Sequence, residues 1–491
     1  MPSERSVRAR RPTWLLVVVA LGVFVAADDQ TSIVALLPSV IREVGIAIDD
    51  FYRSAWVVNG YLLGYLVALP LTGRIADVFG RGRVFIAALG VFIVGSVLVA
   101  LAPTFEWLVV ARALQAVGGG GVVPVAMAIV VDELPPARRA LGLGAIAAAA
   151  EAGALLGPLW GGAITEWFGW RWVFWANVPM AAPLMLAGWL LTARAHRADG
   201  VPPSARIDWW GGALIGAALG LLTYALTDDP LAGRPTVVTG TLLLASAGCA
   251  GAFVRHSLRS SSAMVRLAMF QPRPVWAASL ATFLSGGGLI VALIGVPLFV
   301  NLVLAESALD GGLALMRLTF AVPFGALAGG WLAGRAGLRP TAVAGLLLAG
   351  AMFAGLARWD RDLTEVLRTI PLLIGGFGFG LIIAPLGAAV LQRVPESERA
   401  TASAWLTMWR LSGMLVGAAL LTSSGLGRFY ARIATVAFGS PEFERLVREA
   451  QLSTFREVFV AAAVVMLVAA LVALLVSGGR VDREQAWRTL P

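Results

Sequence analysis

Fourteen stretches of about twenty mostly apolar residues follow one another along this chain. They lie at 14–38, 54–73, 83–102, 105–131, 140–164, 171–193, 208–227, 235–254, 275–300, 311–333, 340–357, 369–391, 400–426 and 454–477. A bilayer core needs roughly 20 residues of helix to cross it. In lipid a backbone must satisfy its own polar groups, which leaves helices or closed barrels. Runs of this length predict an all-α integral membrane protein with fourteen transmembrane helices, and an even number returns both termini to one side. Composition agrees, with 58% of residues hydrophobic, 14% charged and a mean hydropathy of +0.82. Soluble domains are about half apolar and a quarter charged. The first run imitates a secretory signal, with Arg8, Arg10 and Arg11 before Trp14–Ala27 and Val25-Ala26-Ala27 as a cleavage site. Apolarity resumes at Ile33–Ile41, so the segment is read as one uncleaved span.

The net charge of +9 comes from arginine, since no lysine is present. Of the 38 arginines, 23 fall in the termini and the loops on one side, and 12 on the other. A basic chain can mean nucleic acid, but arginines in short loops between apolar runs mark the cytoplasmic side. Both termini are therefore expected in the cytoplasm, with no nucleic-acid partner. The single cysteine, Cys249, excludes a disulfide framework. The two histidines, His196 and His256, fall in polar loops, which leaves no ligands for a metal and no base for hydrolysis within the membrane. The chain is not expected to be an enzyme or to hold a cofactor.

The sequence repeats itself. PPARRA at 135–140 aligns with PESERA at 395–400 at an offset of 260, and the same offset carries Gly153 and Gly157 onto Gly413 and Gly417. GRIADVFGR at 73–81 repeats as GWLAGRAGL at 330–338. Two pseudo-symmetric six-helix bundles, 1–193 and 257–491, separated by two linker spans in 194–256, are the expected organisation. Such duplication is typical of transporters.

Charges inside a span are costly and functional by default. Six candidates are present: Asp28, Asp29, Arg112, Glu151, Arg317 and Arg410. Glu151 lies about 16 Å into its span, near mid-depth. The repeat maps it onto position 411, beside Arg410. Arg317 sits near a span end, where it can snorkel. Gly153 and Gly157 share one helix face and allow a neighbouring helix to come close. Pro158 removes a backbone hydrogen bond and can kink the helix. Close packing alone would explain these residues; a hinge between two states is the sharper reading.

The loop Gly73-Arg-Ile-Ala-Asp77-Val-Phe-Gly80-Arg81-Gly-Arg83 resembles the loop between spans two and three of the major facilitator superfamily, where it latches the outward-facing state. The plain alternative is a basic turn that obeys the positive-inside rule. The second copy has Gly334 where the first has Asp77, which confines a latch to the first half. Arg112 and Gln115 match the family's fourth-span pattern, with Ala116 in place of its glycine. Gly144, Gly153, Gly157, Pro158 and Gly161 match the fifth-span pattern of antiporters. Asp29-Gln-Thr31 with Pro38 resembles the first span of fourteen-span drug/proton antiporters. The resemblance implies the major facilitator fold and transport by alternating access.

Within the superfamily, YLLGYLVALPLTGR at 61–74, the Glu151 stretch and TMWRLSGMLVG at 407–417 resemble the triacylglyceride-exporting permeases of mycobacteria. That resemblance implies a proton-coupled exporter of lipid in a bacterial plasma membrane, with Asp29, Glu151 and Arg410 at the coupling and locking centre; Arg112 is read as serving the same relay from span four. Gln115 and Asp28 support that centre. It also implies a periplasmic lipid-carrying lipoprotein as partner. Ser440-Pro441-Glu442 is a helix start, and Phe443, Leu446, Val447 and Ala450 recur on one face. The segment 427–453 is therefore read either as an ordinary loop or as a helical extension beyond the membrane with an apolar groove. A structural ion cluster remains the bland alternative for the intramembrane charges, and a drug/proton antiporter for lipophilic cations the alternative transporter. The chain is expected to act as a monomer.

Overall fold

The structure, a computed structural model, describes residues 4–44, 53–134, 136–192, 207–227, 234–260, 272–360, 362–394, 399–433 and 441–476. Among them are fourteen α-helices and no strand: α1 (Glu4–Glu43), α2 (Ala55–Phe79), α3 (Arg81–Ala100), α4 (Phe105–Glu133), α5 (Pro136–Phe168), α6 (Arg171–Thr192), α7 (Trp209–Leu226), α8 (Thr236–Arg259), α9 (Arg273–Leu302), α10 (Ala308–Arg335), α11 (Leu338–Leu356), α12 (Glu365–Leu391), α13 (Arg399–Ile433) and α14 (Pro441–Ala473). Among the described residues, thirteen helices are long and apolar enough to cross a membrane. The fourteenth, α5, carries Glu151 near its middle. The repeats at 135–140 and 395–400 lie partly outside the described residues, as do the segments 193–206 and 434–440.

The same helix pairings occur twice. In the first half α1 packs on α5, α2 on α4, α3 on α4 and α3 on α6. In the second, α9 packs on α13, α10 on α12, α11 on α12 and α11 on α14. Helices α7 and α8 pack on each other, and α7 leans on α2 and α13. The halves meet where α5 touches α10 and α2 touches α13.

Small residues set the closest approaches. A Cβ at Gly153 would strike the Phe24 carbonyl, one at Gly157 would strike Thr31 Oγ1, and one at Gly161 would lie 2.7 Å from the Ser32 carbonyl oxygen. In the second half, Gly413 and Gly417 present the same bare backbone to Phe283 and Gly287 of α9. Lipid gives helices no hydrophobic reason to associate, so backbone-to-backbone contact of this kind supplies the attraction.

The connection expected at 73–83 is far tighter than a loop. Helix α2 continues to Phe79 and α3 starts at Arg81, so the turn is Gly80 alone, at φ 94°. Gly337, its repeat, turns α10 into α11 at φ 101°. Both backbones are left-handed, a region glycine enters without steric cost.

Helices α13 and α14 run for 35 and 33 residues. At 1.5 Å per residue they reach about 50 Å, well beyond a core of about 30 Å. At their far ends Arg428 and Arg432 pair with Glu457. Val447 and Ala450 pack on Phe429 and Ile433. The extension is thus an antiparallel helix pair whose apolar faces, at this level, close on each other instead of leaving a groove.

Gly157→Ala should lower the melting temperature of the detergent-solubilised protein, since overpacking a tight contact costs about 1–3 kcal/mol. Gly248→Ala, where a Cβ meets nothing within 4 Å, should leave it unchanged.

Candidate functional site

Asp29 is fully buried in α1 and fully engaged. Arg112 Nη1 donates to its Oδ2 at 2.9 Å, Gln115 Nε2 to its Oδ1 at 2.9 Å, and Asn177 Nδ2 to the same oxygen at 2.7 Å. Arg112 and Gln115 stand three residues apart on α4, so their side chains share a face, and Arg112 Nη1 also reaches Gln115 Oε1 at 2.6 Å. Ser96 of α3 accepts from Gln115 at 2.8 Å and from Asn177 at 3.3 Å. Gly95 makes this reach possible, because a Cβ there would run into the backbone of Gln115. The network ties α1, α3, α4 and α6 together around one carboxylate.

The Arg112 guanidinium lies 4.3 Å from the ring centre of Tyr61 and 5.4 Å from that of Phe174. Its charge is met by Asp29 and by two aromatic faces. Arg112 Nε and Nη2 and the Tyr61 hydroxyl are buried without a hydrogen-bond partner. A cavity of about 30 Å³ lies beside them, lined among others by Gln30, Thr31, Tyr61, Arg112, Ile290 and Met414. Ile290 and Met414 belong to the second half, so the network borders the seam between the halves.

Asp28 points elsewhere. It is 2% exposed, and its backbone lies against Gly153 and Gly157 of α5. No hydrogen bond or ion pair among the described residues reaches its carboxyl.

Glu151 is exposed. On α5, Leu155, Pro158 and Gly162 touch Thr319, Gly312 and Ala308 of α10. At 100° per residue these three lie within about 40° of Glu151 around the helix. Leu156 and Trp160, on the opposite side, are the lipid-facing exposed residues. Glu151 therefore lies on the side of α5 that carries these contacts with the second half, one turn before Leu155. Arg410 is half-buried on α13, its backbone carbonyl against Gly286 of α9. No ion pair joins it to Glu151 among the described residues.

At the arginine-rich end, Arg81 bonds the Ala128 carbonyl at 2.7 Å and Asp132 at 2.6 Å, both on α4. Arg83 is exposed, and a Cβ at Gly73 would meet nothing. Asp77 lies in α2, but its side chain is outside what the structure describes. Gly144 lies within α5. Arg317 pairs with Glu365 at 2.8 Å instead of facing the seam. No group of three or more His, Cys, Asp or Glu among the described residues is placed to hold a metal.

The structure brings Asp29, Arg112 and Gln115 together and leaves Glu151 and Arg410 apart from them. It adds Asn177, Ser96 and Tyr61, which sequence reasoning passed over. Asn177 was findable as the lone amide in the apolar run of α6.

Residues 19–418 match a family model described as Major Facilitator Superfamily. A triacylglyceride transporter of Mycolicibacterium smegmatis is 36% identical over 494 aligned positions, covering 95% of this chain and 88% of that protein. A triacylglyceride transporter of Mycobacterium tuberculosis is 34% identical, covering 95% of each. Among solved structures, a POT family transporter superposes with a TM-score of 0.65 at 16% identity, covering 95% of this chain and 97% of its own. A bacterial homologue of the human lysosomal transporter Spinster, inward-facing and occupied, superposes with a TM-score of 0.63 at 16% identity and the same coverage. These two likenesses concern the fold alone.

Breaking a buried ion pair by removing one partner costs about 3–5 kcal/mol, because the other charge is left uncompensated. Arg112→Gln should lower thermal stability sharply. Asp29→Asn combined with Arg112→Gln should cost less than the two single losses added, a coupling that a double-mutant cycle of melting temperatures measures.

Proposed function

This chain belongs to the major facilitator superfamily and is a transporter rather than an enzyme, and from that premise we propose that it is a proton-coupled exporter. It moves a lipophilic substrate, a lipid such as triacylglyceride, out of a bacterial plasma membrane by alternating access. The observation that carries the coupling is Glu151, an exposed carboxyl on the side of α5 that meets the other half, one turn before the Leu155 contact with α10. A group so placed meets water when this end is open and loses it when the end closes, so its proton can be exchanged once per cycle. Arg410, at matching depth in the second half, supplies the opposite charge on the facing wall. The Asp29–Arg112–Gln115 network holds α1 and α4 as one body while the halves rock. The glycine face of α5, with Pro158 beside it, lets that helix slide on α1.

The names of the mycobacterial relatives support lipid as the cargo. The arginine bias puts both termini in the cytoplasm. The α2–α3 turn, with Gly73, Asp77, Gly80, Arg81 and Arg83, then forms the cytoplasmic latch, and the α13–α14 extension stands in the periplasm. There it suits a lipid-carrying lipoprotein as acceptor. A second reading, efflux of lipophilic cations in exchange for protons, is favoured by one observation: no ion pair among the described residues reaches Glu151, and a lone acid attracts cations.

Glu151→Gln should abolish export driven by a pH gradient in proteoliposomes carrying a fluorescent triacylglyceride, while the purified variant still binds it. Undiminished pH-driven transport would remove Glu151 from the mechanism. A wild-type protein that moves a lipophilic cation but no lipid would establish the second reading.

A further inference from the structure

Two carboxyls sit side by side in α1, and the cycle above leaves one of them idle. Asp29 is saturated: three side-chain donors, one of them the Arg112 guanidinium, meet its two oxygens. Adding a proton would strip those bonds and strand Arg112 as a buried lone cation. Asp28 is nearly as buried and has none of these partners. An ionised carboxylate in that setting would lack both donor and counter-charge, whereas the neutral acid is far less costly to bury. We propose that Asp28 is the buried carrier of the exchanged proton, with Asp29 permanently fixed as the anion of the Arg112 lock. This rests on the proton-coupled reading given above.

The surroundings suit the role. The Asp28 backbone lies against Gly153 and Gly157 of α5. Its carboxyl is buried and takes part in no hydrogen bond or ion pair among the described residues, so movement of α5 on α1 would break no specific bond to it. Glu151 rides on α5 as well and is exposed. Of the elements packed on α1, α5 brings Glu151 and α4 brings Arg112, already committed to Asp29. Helix α2 brings Tyr61 and Tyr65, and α10 brings Arg317, turned away onto Glu365. Helices α6 and α9 carry only Arg171 and Arg273, both at helix starts. Among the described residues, no cation pairs with Asp28.

The pseudo-symmetry shows that packing does not demand an acid here. Gly153 and Gly157 meet Phe24 and Asp28 on α1, while Gly413 and Gly417 meet Phe283 and Gly287 on α9. The position equivalent to Asp28 is thus a glycine. In the step proposed, water admitted between α1 and α5 takes the proton from the Asp28 carboxyl and hydrates the carboxylate left behind. Reclosure requires a proton from water to return. Glu151, at the opening, exchanges protons with bulk; Asp28 holds one through the closed state.

The test uses Asp28→Asn, which keeps nearly the shape of the neutral acid and so should fold. In proteoliposomes carrying a fluorescent triacylglyceride, Asp28→Asn should lose at least tenfold of the pH-driven rate and keep exchange under equal pH on both sides. Infrared difference spectra across an alkaline titration give a readout independent of transport. The carbonyl stretch of a neutral buried carboxylic acid should vanish in Asp28→Asn and persist in Asp29→Asn. A pH-responsive wild type with an equally responsive Asp28→Asn variant, or a carbonyl band lost only with Asp29, would overturn the inference and leave the coupled reading intact. A wild type indifferent to the gradient would remove both.

Discussion

The Asp29–Arg112 ion pair is the interaction around which the first half is organised. It is fully buried on both sides, in a chain whose surroundings are hydrocarbon. Such a pair holds only if its remaining valences are met. Gln115, Asn177 and the Tyr61 ring meet most of them, each from a different part of the chain. Those demands fix the rotation of α1, α2, α4 and α6 about their own axes, since turning any one would aim a polar group into lipid. Helices that have no hydrophobic reason to prefer one face over another thereby acquire a unique register.

The second half has no such lock among its described residues and is held by shape. Gly376 and Gly380 lie on the backbone of α10, and Gly413 and Gly417 on that of α9. The halves share one framework of glycine contacts, and the first carries in addition the buried charges. The buried charges of the first half lie where α1 meets α4 and α6, while α1 and α5 meet through bare glycine backbone.

How much of this was legible in the sequence follows from what kind of signal each feature leaves. Spans are read from length and hydropathy, and the runs from 14–38 to 454–477 each fall on a helix. The offset that relates Gly153 and Gly157 to Gly413 and Gly417 survives as equivalent packing on α1 and α9, because glycine contacts are fixed by spacing along one helix. Arg112 and Gln115 were legible together for the same reason. Pairings between helices leave no such trace. Asn177 meets Asp29 across 148 residues, and nothing in the local sequence of α6 announces that contact. The polar run 73–83 looks like a loop in sequence, whereas Gly73–Phe79 is the last two turns of α2 and Gly80 alone makes the turn. Depth along a span suggested that Glu151 and Arg410 face each other. Depth does not settle whether two side chains touch, and in this arrangement they do not.

Their separation has a consequence for the cycle. Glu151 and Arg410 stand on opposite halves, and where water enters the seam between them in the proposed cycle, two unpaired charges are inexpensive. The contacts of Pro158 and Gly162 with α10 keep the other end shut. If the halves rock so that this end closes, water leaves and the same two charges become costly. Two routes relieve Glu151: it meets Arg410, or it takes a proton. The first gives a neutral ion pair that locks the closed end, and the second gives a neutral acid that leaves Arg410 to be dealt with separately. An uncoupled protein would follow whichever route was cheaper at the prevailing pH. A coupled one must make closure with cargo and closure with a proton exclude each other, and an apolar lipid filling the space between the two walls does so by keeping Arg410 and Glu151 apart. Under the proposed cycle, coupling would need no specific bond between cargo and acid, only the volume of an apolar substrate.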